Sequence, residues 1–279
     1  MKFVTSVDIT PSVKKISYSD KILLLGSCFA DNIGAKFGEH YFQTTVNPYG
    51  TLYNPASIAK ALSGVVNREM GIGIVQHNGL WHSFSHHGSF SRTDKEDLVR
   101  ACEQSRVHLC VALQQATTVM VTFGTAWVYE YEGEVVANCH KLPANQFVRR
   151  RLTVNEIVAM WQPIIDAMPD KHWIFTVSPI RHIKDGLHEN QLSKAVLLQS
   201  IEQLSELSIA NCSYFPSYEI MLDELRDYRF YADDLVHPSS LAVNYIWERF
   251  IDCFCTPHTR KEMNIQHKRW KQTQHRPLH

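Results

Sequence analysis

The chain has 279 residues, 44% of them hydrophobic and 20% charged, a composition that is typical of globular proteins and excludes an intrinsically disordered one. Lysine plus arginine and aspartate plus glutamate balance at 28 each, so no overall charge attracts nucleic acid or an anionic membrane. Seven cysteines, an odd number without framework spacing, favour reduced thiols in a cytoplasmic protein.

Residues 1–8 lack the apolar core of a signal peptide, and no apolar run is long enough to span a bilayer. The length and the lack of a linker predict a single domain over residues 1–263, with insertions near 71–91 and 128–151. Residues 264–279 are polar, basic and poor in aliphatic side chains, and we expect a loosely held tail there.

Five apolar runs predict buried strands of a mainly parallel sheet, at 22–25, 41–46, 118–123, 172–177 and 213–215. Segments with helical spacing alternate with them, at 29–40, 55–66, 95–115, 154–168, 188–207 and 240–254. This alternation of strands and helices predicts βαβ crossovers and an α/β fold. In open sheets of this kind, ligands bind outside the carboxyl ends of the strands.

Two segments interrupt the alternation of strands and helices. Residues 128–137 alternate apolar and polar side chains around Glu132-Gly133, a pattern that predicts a β-hairpin over the site. Residues 71–91 are rich in glycine, histidine and aromatic side chains, and they predict a loop or short strands that wall a pocket.

Polar and glycine residues follow four of the predicted strands. Ser27, Gly50, Gly124 and Ser178 each fall just past a strand end. Because the carboxyl ends of parallel strands meet at one edge of a sheet, this convergence predicts a functional site at that edge.

The run KILLLGSCFA predicts a buried strand that stops at Gly26 and puts the Ser27 hydroxyl at the start of a helix. Far downstream, Asp234 and His237 stand three residues apart, a spacing that lets a carboxylate and an imidazole lie on one side of a turn. Together they supply the nucleophile, orienting acid and base of acyl transfer. The pattern therefore predicts a serine hydrolase.

Each of these residues also has a structural interpretation. Ser27 is a residue type that caps helices, and His237-Pro238 is typical of a loop that leads into a helix. Cys28 competes with Ser27 as the nucleophile, because a thiol near a helix start can have a depressed pKa.

Residues 26–30 spell Gly-Ser-Cys-Phe-Ala, the signature of the GSCFA family, and the runs at 47–51, 124–127, 138–141 and 178–182 resemble the same family. The chain thus resembles a branch of the SGNH (GDSL-like) hydrolase superfamily over most of its length. The resemblance implies a flavodoxin-like three-layer α/β sandwich of SGNH-hydrolase type and ester-bond chemistry. It also implies a nucleophile directly after glycine and an acid and base that share a D-x-x-H segment, but no particular substrate.

The resemblance further implies an oxyanion hole made of the serine amide, a glycine amide and an asparagine side chain. Ser27 and Gly50 match the first two donors, whereas Ala126 stands where the asparagine is expected. Because the loss of one donor typically costs ~2.7–4 kcal/mol of transition-state stabilisation, a replacement is needed. The candidates are Asn138 and His140, with the Thr125 hydroxyl third.

The side chains that we expect to contact substrate are Tyr49, Thr125, Trp127, Arg181 and His182. The Arg181 guanidinium is suited to a carboxylate or phosphate of the substrate, but it is equally suited to Asp185 or to the acid of the D-x-x-H segment. Aromatic walls suit a sugar ring or an acyl chain, although burial in the core is the commoner fate of such rings.

No metal and no cofactor are expected, because the histidines and cysteines lack ligand spacing and no glycine-rich phosphate-binding motif occurs. The sequence predicts a cytoplasmic, serine-dependent esterase that acts on a small-molecule or carbohydrate ester, with deacetylation as the first choice. One alternative is an acyltransferase to a sugar or another alcohol. The other is a non-catalytic binding module on a hydrolase scaffold. The sequence does not determine the oligomeric state.

Overall fold

The structure is a computed structural model that describes residues 5–67, 73–208 and 211–274. The strands are β1 (Lys21–Gly26), β2 (Gln43–Val46), β3 (Ile74–His77), β4 (Leu80–Ser83), β5 (Thr118–Phe123), β6 (Trp127–Tyr131), β7 (Glu134–Val136), β8 (Phe147–Arg151), β9 (His172–Val177) and β10 (Cys212–Tyr214). The helices are α1 (Cys28–Glu39), α2 (Pro55–Asn67), α3 (Lys95–Gln115), α4 (Val154–Asp166), α5 (Leu187–Leu207), the single turn α6 (Ser217–Glu219), α7 (Ser240–Phe254) and α8 (Pro257–Gln274). Residues 71–72 of the predicted pocket wall and 275–279 of the predicted tail lie outside the described residues.

The central sheet has five parallel strands in the order β2-β1-β5-β9-β10, which is the 2-1-3-4-5 order of flavodoxin-like folds. The predicted α/β fold with a parallel five-stranded sheet is therefore confirmed. β2 begins later than predicted, because Tyr41 takes a left-handed backbone (φ 58°) in the turn that follows α1. β10 begins at Cys212, one residue before the predicted start.

Helices cover both faces of the sheet, and the alternation of side chains along each strand divides the core into two layers. Leu23 and Val121 point to one face, where they pack with buried residues of α2, α3, α4 and α5. Ile22 and Met120 point to the other face, where they pack with α1, α7 and Met263 of α8. The result is a three-layer sandwich, in which β1, β5 and β9 are buried along nearly their whole length.

The segment around Glu132-Gly133 forms the predicted β-hairpin. β6 and β7 pair antiparallel, and both turn residues have positive φ (51° and 83°), as a tight hairpin turn requires. β8 pairs with the other edge of β6 and makes a three-stranded sheet. The apolar pattern did not predict β8, because three of its five residues are consecutive arginines (Arg149–Arg151).

The predicted loop or short strands at 71–91 contain a second hairpin. β3 and β4 pair antiparallel across Asn78-Gly79, whose φ values of 49° and 75° also fit a tight hairpin turn. A short helical turn at Gly88–Phe90 follows.

The carboxyl-terminal segment, where the sequence predicts a loosely held tail from residue 264, is helical as far as Gln274. Thr259 and Met263 are buried in the first half of α8 and anchor it. Further along, the His267 ring stacks on the His40 ring at a centroid distance of 4.8 Å. A polar sequence continues a helix once the first turns are anchored, because adding a residue is far easier than starting a helix.

Within the described residues, no helix combines the length and the apolarity that crossing a membrane requires. All seven cysteines are free thiols, and Cys102, Cys253 and Cys255 are buried.

Candidate active site

β1, β5 and β9 end side by side, and the chain leaves the sheet there at Ser27, Gly124 and Ser178. Gly26 makes this exit possible. Its φ is 131°, and a Cβ at this position would lie 2.1 Å from the carbonyl oxygen of Thr122. A side chain at position 26 would therefore push β1 away from β5, so only glycine permits this strand-to-helix turn.

Ser27 is the N-cap of α1 and is almost completely buried (1% exposed). Its Oγ accepts a long hydrogen bond of 3.4 Å from the Phe29 amide. Its own amide donates to the Thr122 carbonyl at 3.1 Å and so extends the ladder between β1 and β5. Among the described residues, no hydrogen bond joins the Ser27 hydroxyl to His237. The structural interpretation of Ser27 as a helix cap therefore describes this arrangement.

Cys28, the rival nucleophile, is half-buried at the first position of α1. Burial and the nearby carboxylate of Asp31 raise the pKa of its thiol, and the amides of Cys28 and Phe29 only partly offset this. A raised pKa lowers the fraction of thiolate, which is the reactive form. The electrostatics of the site therefore disfavour Cys28 as a nucleophile.

Asp234 and His237 meet as the spacing predicted. His237 Nδ1 lies 2.6 Å from Oδ2 of Asp234, while Asp234 Oδ1 accepts the amides of Val236 and His237, both at 2.9 Å. These hydrogen bonds, those from His237 first, lower the pKa of Asp234 to about 2. An ionised carboxylate only accepts hydrogen bonds, so Nδ1 carries the imidazole proton and Nε2 keeps a free lone pair. This is the tautomer of a general base.

The loop that carries this pair, residues 228–237, is called the acid/base loop below. Leu235, between the two side chains, has a left-handed backbone (φ 56°) and is half-exposed. For a residue other than glycine this conformation costs roughly 1–2 kcal/mol. Such strain persists only where the surroundings impose it, and it is common at functional sites.

His182 and Gly124 link the acid/base loop to Ser27. A Cβ on Gly124 would lie 3.4 Å from the Cβ of Ser27, so Gly124 packs against the serine. Burial, together with the nearby Lys194 and His237, lowers the pKa of the His182 ring to about 4. The Gly124 backbone lies beside this ring and partly offsets the shift. The imidazole of His237 is therefore close enough to His182 to interact with it electrostatically. The backbone amide of Arg181, just past β9, donates to the Val236 carbonyl, so the acid/base loop lies at the same edge of the sheet as Ser27, and in the described part of the chain no hydrogen bond joins His237 to Ser27.

The two amides predicted for the oxyanion hole are both occupied in this arrangement. The Ser27 amide donates to Thr122, and the Gly50 amide donates to the Asn47 carbonyl at 2.8 Å. Gly50 itself is required for backbone reasons, since its φ is 74° and a Cβ would lie 2.4 Å from the Cβ of His87. Neither amide is available to an oxyanion unless its present acceptor is given up.

Two of the three candidates for the missing donor are engaged elsewhere, and the third is held in a turn. Asn138 Oδ1 accepts the His140 amide at 2.8 Å, a bond that does not use the Nδ2 donors, and His140 Nε2 lies 2.7 Å from the Ser83 carbonyl oxygen. The His140 ring is buried against the hairpin β3–β4, where it stacks on His82. The Thr125 hydroxyl lies 3.0 Å from Ser193 Oγ and also accepts the Trp127 amide.

Ala126, in the place of the expected asparagine, is fully buried in the core. Its amide donates to Ser193 Oγ at 2.8 Å. A polar side chain at this position would therefore enter the apolar layer of α4 and α5 instead of the site, which is why the sequence has alanine here.

Arg181 is held by the acid/base loop. Its guanidinium donates to the Leu235 carbonyl and lies over the rings of Tyr231 (4.4 Å) and Tyr228 (5.1 Å). Asp185, a partner expected from the sequence, instead pairs with Arg149. The guanidinium thus already has partners, and contact with substrate remains a prediction.

Tyr49 and Trp127 lie at some distance along the edge. Tyr49 is buried and stacks on His86 at 4.3 Å, and burial raises the pKa of its hydroxyl to about 12. It lines a cavity of about 140 Å³ together with Phe84 and His86, so the segment 71–91 does wall a pocket. Neither Ser27 nor His237 lines this cavity. The Trp127 ring is covered by the Arg149 guanidinium at 4.0 Å.

Lys194 is a buried charge that the sequence reasoning missed. Its Nζ donates to the carbonyl oxygens of Gly124 (2.7 Å) and Ser178 (2.8 Å), so it ties the ends of β5 and β9 together. Burial lowers its pKa to about 7. The signal was present in the sequence, because Lys194 shares the buried stripe of α5 with Leu197 and Ile201.

Tyr53 is a second missed residue. Its carbonyl accepts the amides of Gly124 (2.8 Å) and Thr125 (3.0 Å), which places the loop before α2 against the end of β5. Its side chain is partly exposed, and burial and the charges of Cys28 and Asp31 raise the pKa of its hydroxyl. The Tyr53 ring therefore lies beside the start of α1. Within the described residues, no group of histidine, cysteine and acidic side chains is arranged to hold a metal ion.

Comparison with solved structures finds two variants of Axe2 from Geobacillus stearothermophilus, described as an acetyl-xylooligosaccharide esterase and as an acetylxylan esterase. Each is 11% identical to this chain, with a TM-score of 0.45. The match covers 86% of this chain and 96% of the Axe2 chain. No curated protein matches the chain significantly. The model of the GSCFA family matches residues 21–250, which contain Ser27, Asp234 and His237. The chain belongs to the GSCFA family.

Proposed function

We propose that the protein is a serine-dependent esterase in which Ser27 is the nucleophile, His237 the general base and Asp234 the residue that orients the imidazole. The observation that carries this proposal is the geometry of Asp234, whose carboxylate binds His237 Nδ1 at 2.6 Å and leaves Nε2 free to accept a proton. The common location of Ser27, Gly124 and His182 at the strand ends supports it.

The reaction proceeds in two halves. Ser27 Oγ transfers its proton to His237 Nε2 and attacks the ester carbonyl carbon, and the resulting tetrahedral intermediate collapses as His237 returns the proton to the leaving alkoxide. Water then repeats the sequence on the acyl-enzyme, with His237 again accepting and returning one proton, and releases the carboxylic acid.

Ser27 must leave its capping position before it attacks. Rotation about its Cα–Cβ bond breaks the 3.4 Å hydrogen bond from the Phe29 amide, which is long and therefore weak. That rotation frees the Phe29 amide, which then stands beside the Cys28 amide at the start of a helix of 12 residues. Helix amides of this kind favour a developing negative charge. We therefore assign the oxyanion to these two amides, in place of Gly50, Asn138 and His140.

A short acyl group such as acetyl, on a carbohydrate or another small alcohol, is the substrate that we propose. At position 124, where a Cβ would lie 3.4 Å from that of Ser27, glycine provides no apolar side chain against which a long acyl chain could pack. Transfer of the acyl group to an acceptor alcohol differs only in which hydroxyl reaches the acyl-enzyme. The ratio of free acetate to acetylated acceptor distinguishes hydrolysis from transfer.

A second candidate function is favoured by one observation. Ser27 is 1% exposed, and its amide and that of Gly50 are occupied, as a purely structural turn would have them. A binding module on a hydrolase scaffold would keep this arrangement permanently and would never release the hydroxyl.

The experiment compares labelling by a fluorophosphonate probe and hydrolysis of p-nitrophenyl acetate in wild type, Ser27→Ala and Cys28→Ala. The esterase proposal expects labelling and hydrolysis in wild type and in Cys28→Ala, and loss of both in Ser27→Ala. Folded wild type that is neither labelled nor active would favour the binding module. Labelling that survives Ser27→Ala but not Cys28→Ala would make the thiol the nucleophile.

A further inference from the structure

We propose that Arg181 is a positioning residue, which holds the acid/base loop so that His237 is presented toward Ser27; the inference rests on the proposed esterase function. Two consecutive peptide groups lead into His237, and each is held from two sides. The Leu235 carbonyl accepts the Arg181 guanidinium, while the Val236 amide of the same planar peptide donates to Asp234.

The next peptide group repeats this arrangement. The Val236 carbonyl accepts the backbone amide of Arg181 at 3.3 Å, and the His237 amide donates to Asp234 at 2.9 Å. Because a peptide group is planar, fixing both its carbonyl and its amide fixes its rotation. Asp234 and Arg181 therefore set the direction in which the chain enters His237.

The guanidinium is itself held in place. It lies over the rings of Tyr231 and Tyr228, at 4.4 Å and 5.1 Å. A planar guanidinium stacks on aromatic rings and donates in its own plane at the same time, which an ammonium group does not do. The acid/base loop thus supplies both the aromatic rings on which the guanidinium lies and the carbonyl groups to which Arg181 donates.

Near the catalytic pair, partly buried Val236 packs against the core, but the side chains on either side of it are not buried and depend on such polar contacts. Asp234, Leu235 and His237 are all about half-exposed, and Leu235 is in the left-handed region. Arg181, by contrast, follows β9, two strands from β1 in the same sheet. Its contacts with the loop therefore hold His237 in place relative to the sheet, which also carries Ser27.

The test uses Arg181→Met, which keeps an unbranched chain as far as the position of Nε and removes the donors, and Arg181→Lys. Arg229→Met is the matched control, since Arg229 belongs to the same loop, lies over the Phe230 ring and pairs with exposed Asp227. The readouts are kcat and KM for p-nitrophenyl acetate and amide hydrogen exchange in the peptide that contains Val236 and His237.

For Arg181→Met we expect faster exchange at these amides and a fall in kcat of roughly 100-fold, the typical effect of a misplacement of about 1 Å, at nearly constant KM. Arg181→Lys should recover only part of kcat, and Arg229→Met should match wild type in both readouts. A higher KM at constant kcat would make Arg181 a substrate-binding residue and would overturn the inference. Unchanged amide exchange in Arg181→Met would also overturn it. If wild type hydrolyses no ester, the proposed function fails, whereas faster exchange in Arg181→Met would still establish that Arg181 holds the loop.

Discussion

Asp234→Asn tests the orientation of the general base most directly, because the substitution changes one atom and keeps the size of the side chain. The asparagine carbonyl oxygen is still able to accept the amides of Val236 and His237, which hold the turn at 2.9 Å each. The group that faces His237 Nδ1 becomes an amide donor in place of Oδ2, which now lies 2.6 Å away. Two donors then oppose each other.

The imidazole relieves this conflict by moving its proton to Nε2, so that Nδ1 becomes an acceptor. A ring protonated at Nε2 is unable to take the proton of Ser27. In a comparable acid–imidazole pair the same substitution lowers kcat about 10⁴-fold through the wrong tautomer, and we expect a fall of that order here. Both side chains are about half-exposed, so the melting temperature should change little.

The assay is hydrolysis of p-nitrophenyl acetate as a function of pH, with the melting temperature as a check on folding. Asp233→Asn is the matched control, since it makes the same change one residue earlier, outside the hydrogen bonds to His237. Because the pKa of Asp234 is lowered to about 2, its carboxylate stays ionised through the whole assay range above pH 4. If Asp234→Asn keeps more than a tenth of the activity that Ser27→Ala abolishes, the carboxylate does not orient the base.

Two further substitutions test the frame of the site. In a urea titration, Gly26→Ala should lower the free energy of unfolding by roughly 2–5 kcal/mol, because of backbone strain and overpacking against Thr122. The control is Gly38→Ala in α1, where a Cβ meets nothing within 4 Å, and it should be neutral or stabilising. Equal effects of the two substitutions would contradict this account of the turn at Gly26. Lys194→Met tests the buried lysine. Because burial lowers the pKa of Lys194 to about 7, the folded state loses this proton at a lower pH than the unfolded state does. The free energy of unfolding of wild type relative to the variant should therefore rise from pH 7 to pH 10, by at most about 1.4 kcal/mol per pH unit. A flat difference between the two urea midpoints over this range would show that burial does not lower the pKa of Lys194.

The sheet and the helices were predictable because their signals are local. The three central strands, β1, β5 and β9, are short and mostly apolar runs, and the strand that ends at Gly26 is buried from Ile22 onward. The Asp234–His237 pair was predictable for the same reason, since a carboxylate and an imidazole three residues apart meet within one turn. The predicted helices needed only their periodic apolar face.

The local signal failed where tertiary contacts decide the outcome. β8 carries three arginines, yet it is a strand because β6 offers a free edge to pair with. α8 continues through a polar run because Thr259 and Met263 anchor its first turns. In both cases the residues have no strong preference of their own, and the neighbouring element supplies the stabilisation.

The sequence by itself therefore determined the α/β fold, the family and the residue types of the proposed acyl-transfer site. Only the tertiary structure decided that Ser27 rests as a helix cap, that the Ser27 and Gly50 amides are already occupied, and that Arg181 donates to the acid/base loop. The physical reason is the reach of the interactions. Turns, caps and periodic faces depend on neighbours in sequence, whereas the partner of a hydrogen-bond donor is set by whichever acceptor the folded chain brings within about 3 Å of it.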